Sequence, residues 1–375
     1  MTLRLFAIKL LKKLHLAKPV KKILDLAMRA LGSKRQFLKG DGTASFPHSV
    51  GFELTTKCNL RCEMCYQRQE RLLGKRDLSF DEIKKILDNI PNLKRASLIG
   101  AEIFMRPDIF QIIEEFINRG IKLYLTTNGT LINKDIVDKL KKFKKGIRGI
   151  GFSLDGLRET HNRIRGADFA FDRTIEAINL VKKDFNVSIN SVMMKDNIDE
   201  LYDLIKYLRS LGVVNFGLTL EMFATSEEIV SSKNLLGYQD LPLALEVQKE
   251  AKYKFSLEKL KSTIDRIRAI KGITLVIQPG VFDDFPEEFY NGTLRKKANL
   301  ICKNMFLGRV NAQGDLIFCP FIKKPFGNLL EQSFEEIWNS EEFRKFRKNL
   351  MKNNLAPICS KCCRLGVKPI HGIAS

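Results

Sequence analysis

From residue 49 onward the chain alternates short apolar runs with longer amphipathic ones, and this alternation limits its folds more than any other feature. Strand-like runs fall at 49–55, 95–100, 122–127, 149–154, 187–194 and 213–220. Helical patterns occupy 79–90, 107–119, 133–143, 171–184 and 199–211 between them. Parallel strands need a long crossover, usually a helix, so six strand units spaced by helices predict a parallel α/β sheet. Ser79 with Glu82 three residues later is a capping box, and Pro107 suits a first helical turn. Ligands over such a sheet sit beyond the C-terminal ends of its strands.

The first strand runs into a loop carrying three thiols, Cys58, Cys62 and Cys65, with three and then two residues between them. Three thiolates on one loop can hold three corners of a cubic iron–sulfur cluster and leave the fourth iron open. A zinc knuckle would need a fourth ligand nearby, and no Cys or His occurs between Cys65 and His161. A second group follows: Cys302, Cys319, Cys359, Cys362 and Cys363. The stretch from Asn311 to Asp315 reads as a hairpin turn between 309–310 and 316–318, and a helix is predicted over 333–349. Two Cys around a hairpin and a C-x-x-C after a helix supply four soft ligands, which suit zinc as well as an iron–sulfur cluster. Eight Cys in two groups fit metal sites in a reducing cytoplasm better than a secreted disulfide framework.

The 375 residues, 44% apolar and 29% charged, have globular proportions and room for one large domain and a smaller one. No apolar run reaches the roughly 18 residues of a membrane span. The net charge of +21 is uneven: residues 1–39 hold eleven Lys or Arg against one acid, Asp25. Pro19 divides that segment into two amphipathic patterns, Leu3, Phe6, Leu10 and Leu14, then Val20, Ile23, Leu24, Ala27 and Leu31. A basic amphipathic pair suits an anionic membrane surface or an acidic partner; docking of both apolar faces on the main domain is the plainer alternative. Lys9, Lys12 and Lys13 interrupt any signal-peptide core. No nucleic-acid module accompanies the charge, so nucleic acid is the poorest fit. Residues 33–47 read as a linker. Irregular sequence fills 221–255, followed by a helix near 256–270 and a strand at 273–278.

The Cys58–Cys62–Cys65 loop resembles the CxxxCxxC motif of the radical S-adenosylmethionine (radical SAM) enzymes, in which the open iron chelates S-adenosylmethionine. One electron then cleaves that cofactor to a 5′-deoxyadenosyl radical. The resemblance implies a partial (β/α)6 TIM-like barrel over 49–221, after N-terminal helices and linker at 1–48. It departs at Met64, where the family usually has an aromatic residue beside the adenine; a polarisable Met can substitute. Gly100-Ala101-Glu102-Ile103 stands where the family has GGEP, and it implies that Gly100, Ala101 and Glu102 hold the methionine ammonium. Asn128 and Ser153 would line the ribose. His161 through Gly166 resembles an H-x-x-x-R-G stretch that implies an Arg165 contact to the methionine carboxylate. Asn190 and Met193 would face the cofactor from the fifth strand.

The later cysteines resemble the twitch form of the SPASM domain. That likeness implies a small domain at 301–375, with a hairpin and a helix, behind a connecting or lid region at 222–300. Its one auxiliary [4Fe–4S] cluster would rest on Cys302, Cys319, Cys359 and Cys362, with Cys363 spare or exchanged for Cys362. The implied activity is hydrogen-atom abstraction from a peptide, small-molecule or lipid-linked substrate, with a low-potential electron donor such as flavodoxin or ferredoxin. No winged-helix peptide-recognition domain is visible before residue 49. Glu221, Asp283 and Asp284 read as solvated loop acids, and no catalytic acid or base is assigned. The competing class is a zinc-stabilised, non-catalytic binding protein with a basic arm.

Overall fold

The computed structural model describes residues 37–68, 71, 73–90, 92–239 and 256–367. The two N-terminal amphipathic patterns therefore lie outside the described residues. Six parallel strands form where the apolar runs predict them: β1 Val50–Glu53, β2 Arg95–Ile99, β3 Lys122–Thr127, β4 Ile147–Ser153, β5 Val187–Met193 and β6 Asn215–Leu220. Their pairing follows chain order, and β7 (Thr274–Gln278) joins β6 as a seventh parallel strand. The region read as connection and lid thus contributes to the sheet itself.

The crossover helices are α1 Phe80–Asp88, α2 Ile109–Asn118, α3 Lys134–Lys141, α4 Arg158–Arg165, α5 Ala170–Val181 and α6 Leu201–Ser210. The Ser79–Glu82 capping box forms in full at the start of α1. Pro107 differs from its expected place: α2 begins at Ile109 with Asp108 as N-cap, leaving the proline in the preceding turn. Each helix buries one stripe on the sheet, as Ile109, Ile112, Ile113 and Phe116 of α2 do. Phe116 meets Phe52 of β1 edge-on, with ring centroids 5.0 Å apart. Each such fully buried apolar side chain contributes about 1.5–3 kcal/mol. Among the described residues no helix is long and apolar enough to cross a membrane.

Beyond β6 come α7 (Ser226–Leu236), α8 (Leu257–Arg268), α9 (Pro286–Tyr290) and α10 (Leu294–Lys297). Helix α7 lies in sequence read as irregular, although Thr225 and Glu228 form a capping box there. The C-terminal region contains β8 Leu300–Cys302, β9 Gly308–Val310, β10 Asp315–Ile317, β11 Pro325–Asn328, α11 Phe334–Trp338, α12 Glu341–Lys352 and β12 Leu365–Val367. The predicted hairpin is the antiparallel pair β9–β10. The single helix predicted over 333–349 is two, because Asn339 ends α11 and Ser340 N-caps α12.

Strand β9 lies parallel to β1, with Val50 opposite Gly308 and Phe52 opposite Val310. The order is therefore β11-β10-β9-β1-β2-β3-β4-β5-β6-β7, one open ten-stranded sheet shared by the parallel core and the C-terminal hairpin.

Candidate functional site

At the C-terminal edge of the sheet the Cys58–Cys65 loop borders a cavity of about 430 Å3. Arg71 holds the loop from below, donating to the carbonyls of Leu60 (2.7 Å) and Cys58 (3.0 Å). The end of α4 holds it from the side, where Arg61 N donates to Arg165 O and Glu63 N to Ile164 O, each at 3.2 Å. Gly166 caps α4 at φ +66°, and a Cβ there would meet Arg61 O at 3.1 Å. At the end of β2, Gly100 has φ +145°, and a Cβ would come within 2.9 Å of Thr55 O. Both glycines let backbone approach the thiol loop where a side chain would collide.

All three thiols of the loop line the cavity, with Met64, Gly100, Ala101, Asn128, Ser153, Arg165 and Asn190. The donor set around the sulfurs suits thiolate ligands of an iron–sulfur cluster. Leu60 N lies 3.4 Å and Asn128 Nδ2 3.8 Å from Cys58 Sγ, and Arg165 Nη1 lies 3.6 Å from Cys62 Sγ. Without such a group, burial pushes the Cys58 and Cys65 thiols above the ordinary range.

Glu102 departs from the contact expected of it. Its carboxylate is fully buried, outside the cavity lining, and accepts from Asn128 N (2.7 Å), Thr127 Oγ1 (2.8 Å) and Phe104 N (3.2 Å). It braces the turn after β3 and so fixes Asn128, whose side chain does face the thiols. Burial raises its pKa against the opposing pull of these donors.

Arg165 is also more tightly held than a free cofactor contact. Its Nε donates to Asp155 Oδ2 at 2.7 Å, and Nη2 pairs with the same carboxylate. Asp155 in turn accepts from Val192 N at 2.9 Å. His161 is structural: its buried Nδ1 accepts from Asp155 N at 3.1 Å, and burial with Arg165 nearby pushes its pKa down to about 2. Met193, expected to face the cofactor, is instead buried in the apolar core.

The C-terminal segment's share of this cavity was not legible in the sequence. The C-terminal lining residues are Arg309, Pro320, Phe321, Cys363 and Arg364, and Arg309 meets Tyr66 beside the thiol loop. The loop acid Glu221 also lines the cavity, whereas Asp283 and Asp284 do not. Cys302, Cys319, Cys359 and Cys362 are buried, close enough to one another that their charges interact. Burial pushes the Cys319 thiol up to about 11 and the Cys359 thiol to about 12. A metal centre bound there would displace the thiol protons and supply the positive charge that burial otherwise denies the thiolates. Cys362 belongs to this buried set, while its neighbour Cys363 faces the cavity.

A radical SAM superfamily model matches residues 52–208, and an iron–sulfur cluster-binding (SPASM) domain model matches residues 302–363. The AdoMet-dependent heme synthase of Methanosarcina barkeri is 30% identical over 315 residues, covering 80% of this chain and 85% of that protein. The chain belongs to the radical SAM superfamily. The Fe-coproporphyrin III synthase of the same organism is 24% identical over 348 residues, 85% of this chain and 81% of the relative. The subtilosin biosynthesis protein AlbA of Bacillus subtilis is 30% identical over 220 residues, 56% of this chain and 47% of AlbA. Streptococcus suis SuiB bound to S-adenosylmethionine shares the fold, with a TM-score of 0.60 at 18% identity over 87% of this chain and 72% of SuiB. This radical SAM protein is accordingly an α/β enzyme with a C-terminal SPASM domain. The two family domains imply a [4Fe–4S] cluster bound with S-adenosylmethionine and auxiliary iron–sulfur binding.

Proposed function

We propose that Cys58, Cys62 and Cys65 ligate the [4Fe–4S] cluster that binds S-adenosylmethionine, and that the enzyme abstracts a hydrogen atom from a substrate seated in the same cavity. The convergence of the three thiols with Gly100, Asn128, Ser153, Arg165 and Asn190 on one cavity carries this reading. When bound, the cluster supplies the electron that cleaves the cofactor to a 5′-deoxyadenosyl radical. The chain's own residues position the reactants. Asn128 and Arg165 direct N–H groups at two of the sulfurs, the backbone at Gly100 and Ala101 receives the methionine end, and Ser153 and Asn190 receive the ribose. Met64 packs by the adenine. Glu102 acts through Asn128.

We assign one auxiliary [4Fe–4S] cluster to Cys302, Cys319, Cys359 and Cys362. Four protein ligands leave no iron open there, which suits electron transfer during net oxidation or crosslinking of the substrate. The heme and Fe-coproporphyrin III synthases among the relatives support a small-molecule substrate. Peptide modification is the second reading, favoured by the similarity to the bacteriocin biosynthesis protein AlbA. A flavodoxin or ferredoxin would deliver the electron in the cytoplasm, and residues 1–39 would contact an anionic membrane peripherally. Liposome co-sedimentation of the full chain against a version starting near Phe46 tests that contact; equal, negligible binding rejects it.

The central test is anaerobic. Protein with both clusters, given S-adenosylmethionine and dithionite, forms 5′-deoxyadenosine and methionine. Stoichiometric zinc without iron, or no cleavage, rejects the reading.

A further inference from the structure

Guanidinium groups act on the buried thiols of the C-terminal segment. Burial raises the thiols of Cys302, Cys319 and Cys359, and one cation opposes it at each: Arg364 at Cys302, Arg309 at Cys319 and Arg295 at Cys359. Arg309 is already balanced, because its Nε donates to the Glu53 carboxylate at 2.6 Å. The other two are placed by backbone. Arg295 donates from Nη2 to the carbonyls of Leu355 (2.7 Å) and Asn353 (2.9 Å), and from Nε to that of Asn354 (3.2 Å). These carbonyls orient its fork without cancelling its charge, just before the turn in which Cys359 N donates to Ala356 O at 2.9 Å. Arg364 is fixed by its own peptide groups. Its N–H lies 3.3 Å from Cys362 Sγ, its carbonyl accepts from Lys303 N at 3.0 Å, and Leu365 beside it pairs with Cys302.

Glu228 is an acid set against these charges. Its Oε2 accepts from Thr225 N at 2.9 Å in the cap of α7, and its Oε1 accepts from Lys361 Nζ at 2.9 Å. Lys361 stands between Cys359 and Cys362 in the chain, is buried, and lies 4.5 Å from the centroid of the Phe223 ring. The Glu228 charge also reaches Arg295. One carboxylate thus offsets two cations of this region.

A cluster held by four thiolates is anionic, and one-electron reduction adds a further negative charge. A nearby cation therefore favours the reduced form and an acid disfavours it, the more so where burial limits screening. We propose that Arg295 and Arg364 raise the reduction potential of the auxiliary centre and that Glu228 moderates them. The proposal rests on the auxiliary-cluster reading above and deepens it by naming the charges that set the centre's potential.

The test is an anaerobic redox titration of the holoenzyme followed by electron paramagnetic resonance. S-adenosylmethionine is added so that the signal of the first cluster shifts and that of the auxiliary centre stands apart. Arg295→Gln and Arg364→Gln should each lower the auxiliary potential, moving the reduction equilibrium about tenfold, which is about 59 mV for one electron. Glu228→Gln should raise it, since Gln still serves the capping box while the offsetting charge is gone. Arg295→Lys should stay near the wild-type value, and Lys296→Gln, at an exposed position, should match it. Arginine variants at the wild-type potential, a fall for Glu228→Gln, or equal values for Arg295→Lys and Arg295→Gln would each overturn the proposal. If Arg295→Gln loses iron, Arg364→Gln and Glu228→Gln still decide it. Iron is counted in the same wild-type preparation. About eight irons per chain with unmoved potentials sinks only the charge proposal; about four irons sinks the auxiliary-cluster reading, and the proposal with it.

Discussion

Arg309 of β9 donates from Nε to Oε1 of Glu53 in β1 at 2.6 Å, across 256 positions of sequence. The carboxylate is 2% exposed and the guanidinium 14%. Arg309 Nη2 also donates to the Tyr66 hydroxyl at 2.8 Å, so one side chain joins the first strand, the C-terminal hairpin and the residue after Cys65. Burial keeps the Tyr66 phenol neutral.

Breaking a buried pair costs more than removing it, because the remaining charge is left uncompensated. Glu53→Ala should destabilise the protein by about 3–5 kcal/mol. Glu53→Ala combined with Arg309→Met should lose less than the sum of the two single changes. Urea unfolding of the four proteins checks both statements.

The cysteines should separate by iron content. Cys58→Ala, Cys62→Ala and Cys65→Ala should each abolish 5′-deoxyadenosine formation and lower iron by about four atoms per chain. Cys359→Ala and Cys362→Ala should lose a similar amount while still cleaving S-adenosylmethionine. Cys363→Ala should keep its full iron complement, because its thiol faces the cavity. Iron and sulfide assays with chromatographic detection of 5′-deoxyadenosine read all six.

Glu102→Gln replaces one accepting oxygen with an NH2 group that only donates, so the remaining oxygen cannot serve both Asn128 N and the Thr127 hydroxyl, which bond different oxygens of Glu102. One buried donor is left unsatisfied, at a cost of about 1–3 kcal/mol. Because Asn128 loses its brace, affinity for S-adenosylmethionine should fall while iron content holds. Thermal unfolding and equilibrium dialysis check the two effects.

His161 should contribute to acid sensitivity. Its folded pKa is about 2 against an ordinary 6.5, so the unfolded chain takes up the proton first as pH falls. Its stabilising contribution is fully present above pH 6.5 and declines below it, by up to about 1.4 kcal/mol per pH unit. His161→Asn keeps an acceptor for Asp155 N without the titration and should flatten stability between pH 6.5 and 4.5. Denaturant midpoints across that range provide the comparison.

Much of the fold was legible because its signals are local. The strands and the Ser79 cap lie close to their predicted positions, since side-chain periodicity and capping depend on neighbours within a few residues. The T-S-E-E sequence before α7 carried the same capping signal and was overlooked. Glu102 lies just beyond β2 as its place in the sequence implies, yet the direction of its carboxylate depended on donors at Thr127 and Asn128, supplied by the next strand.

By itself the sequence determined the thiol loop, the α/β alternation and the glycines at 100 and 166 that let the backbone close around that loop. Only the tertiary structure decided that β9 pairs with β1 and carries Arg309 to Glu53, and that Cys363 and Arg364, just before β12, line the same cavity. The physical reason is that a strand's backbone donors and acceptors are nearly the same in every strand. They encode the capacity to pair, while the choice of partner emerges from the packing of distant segments.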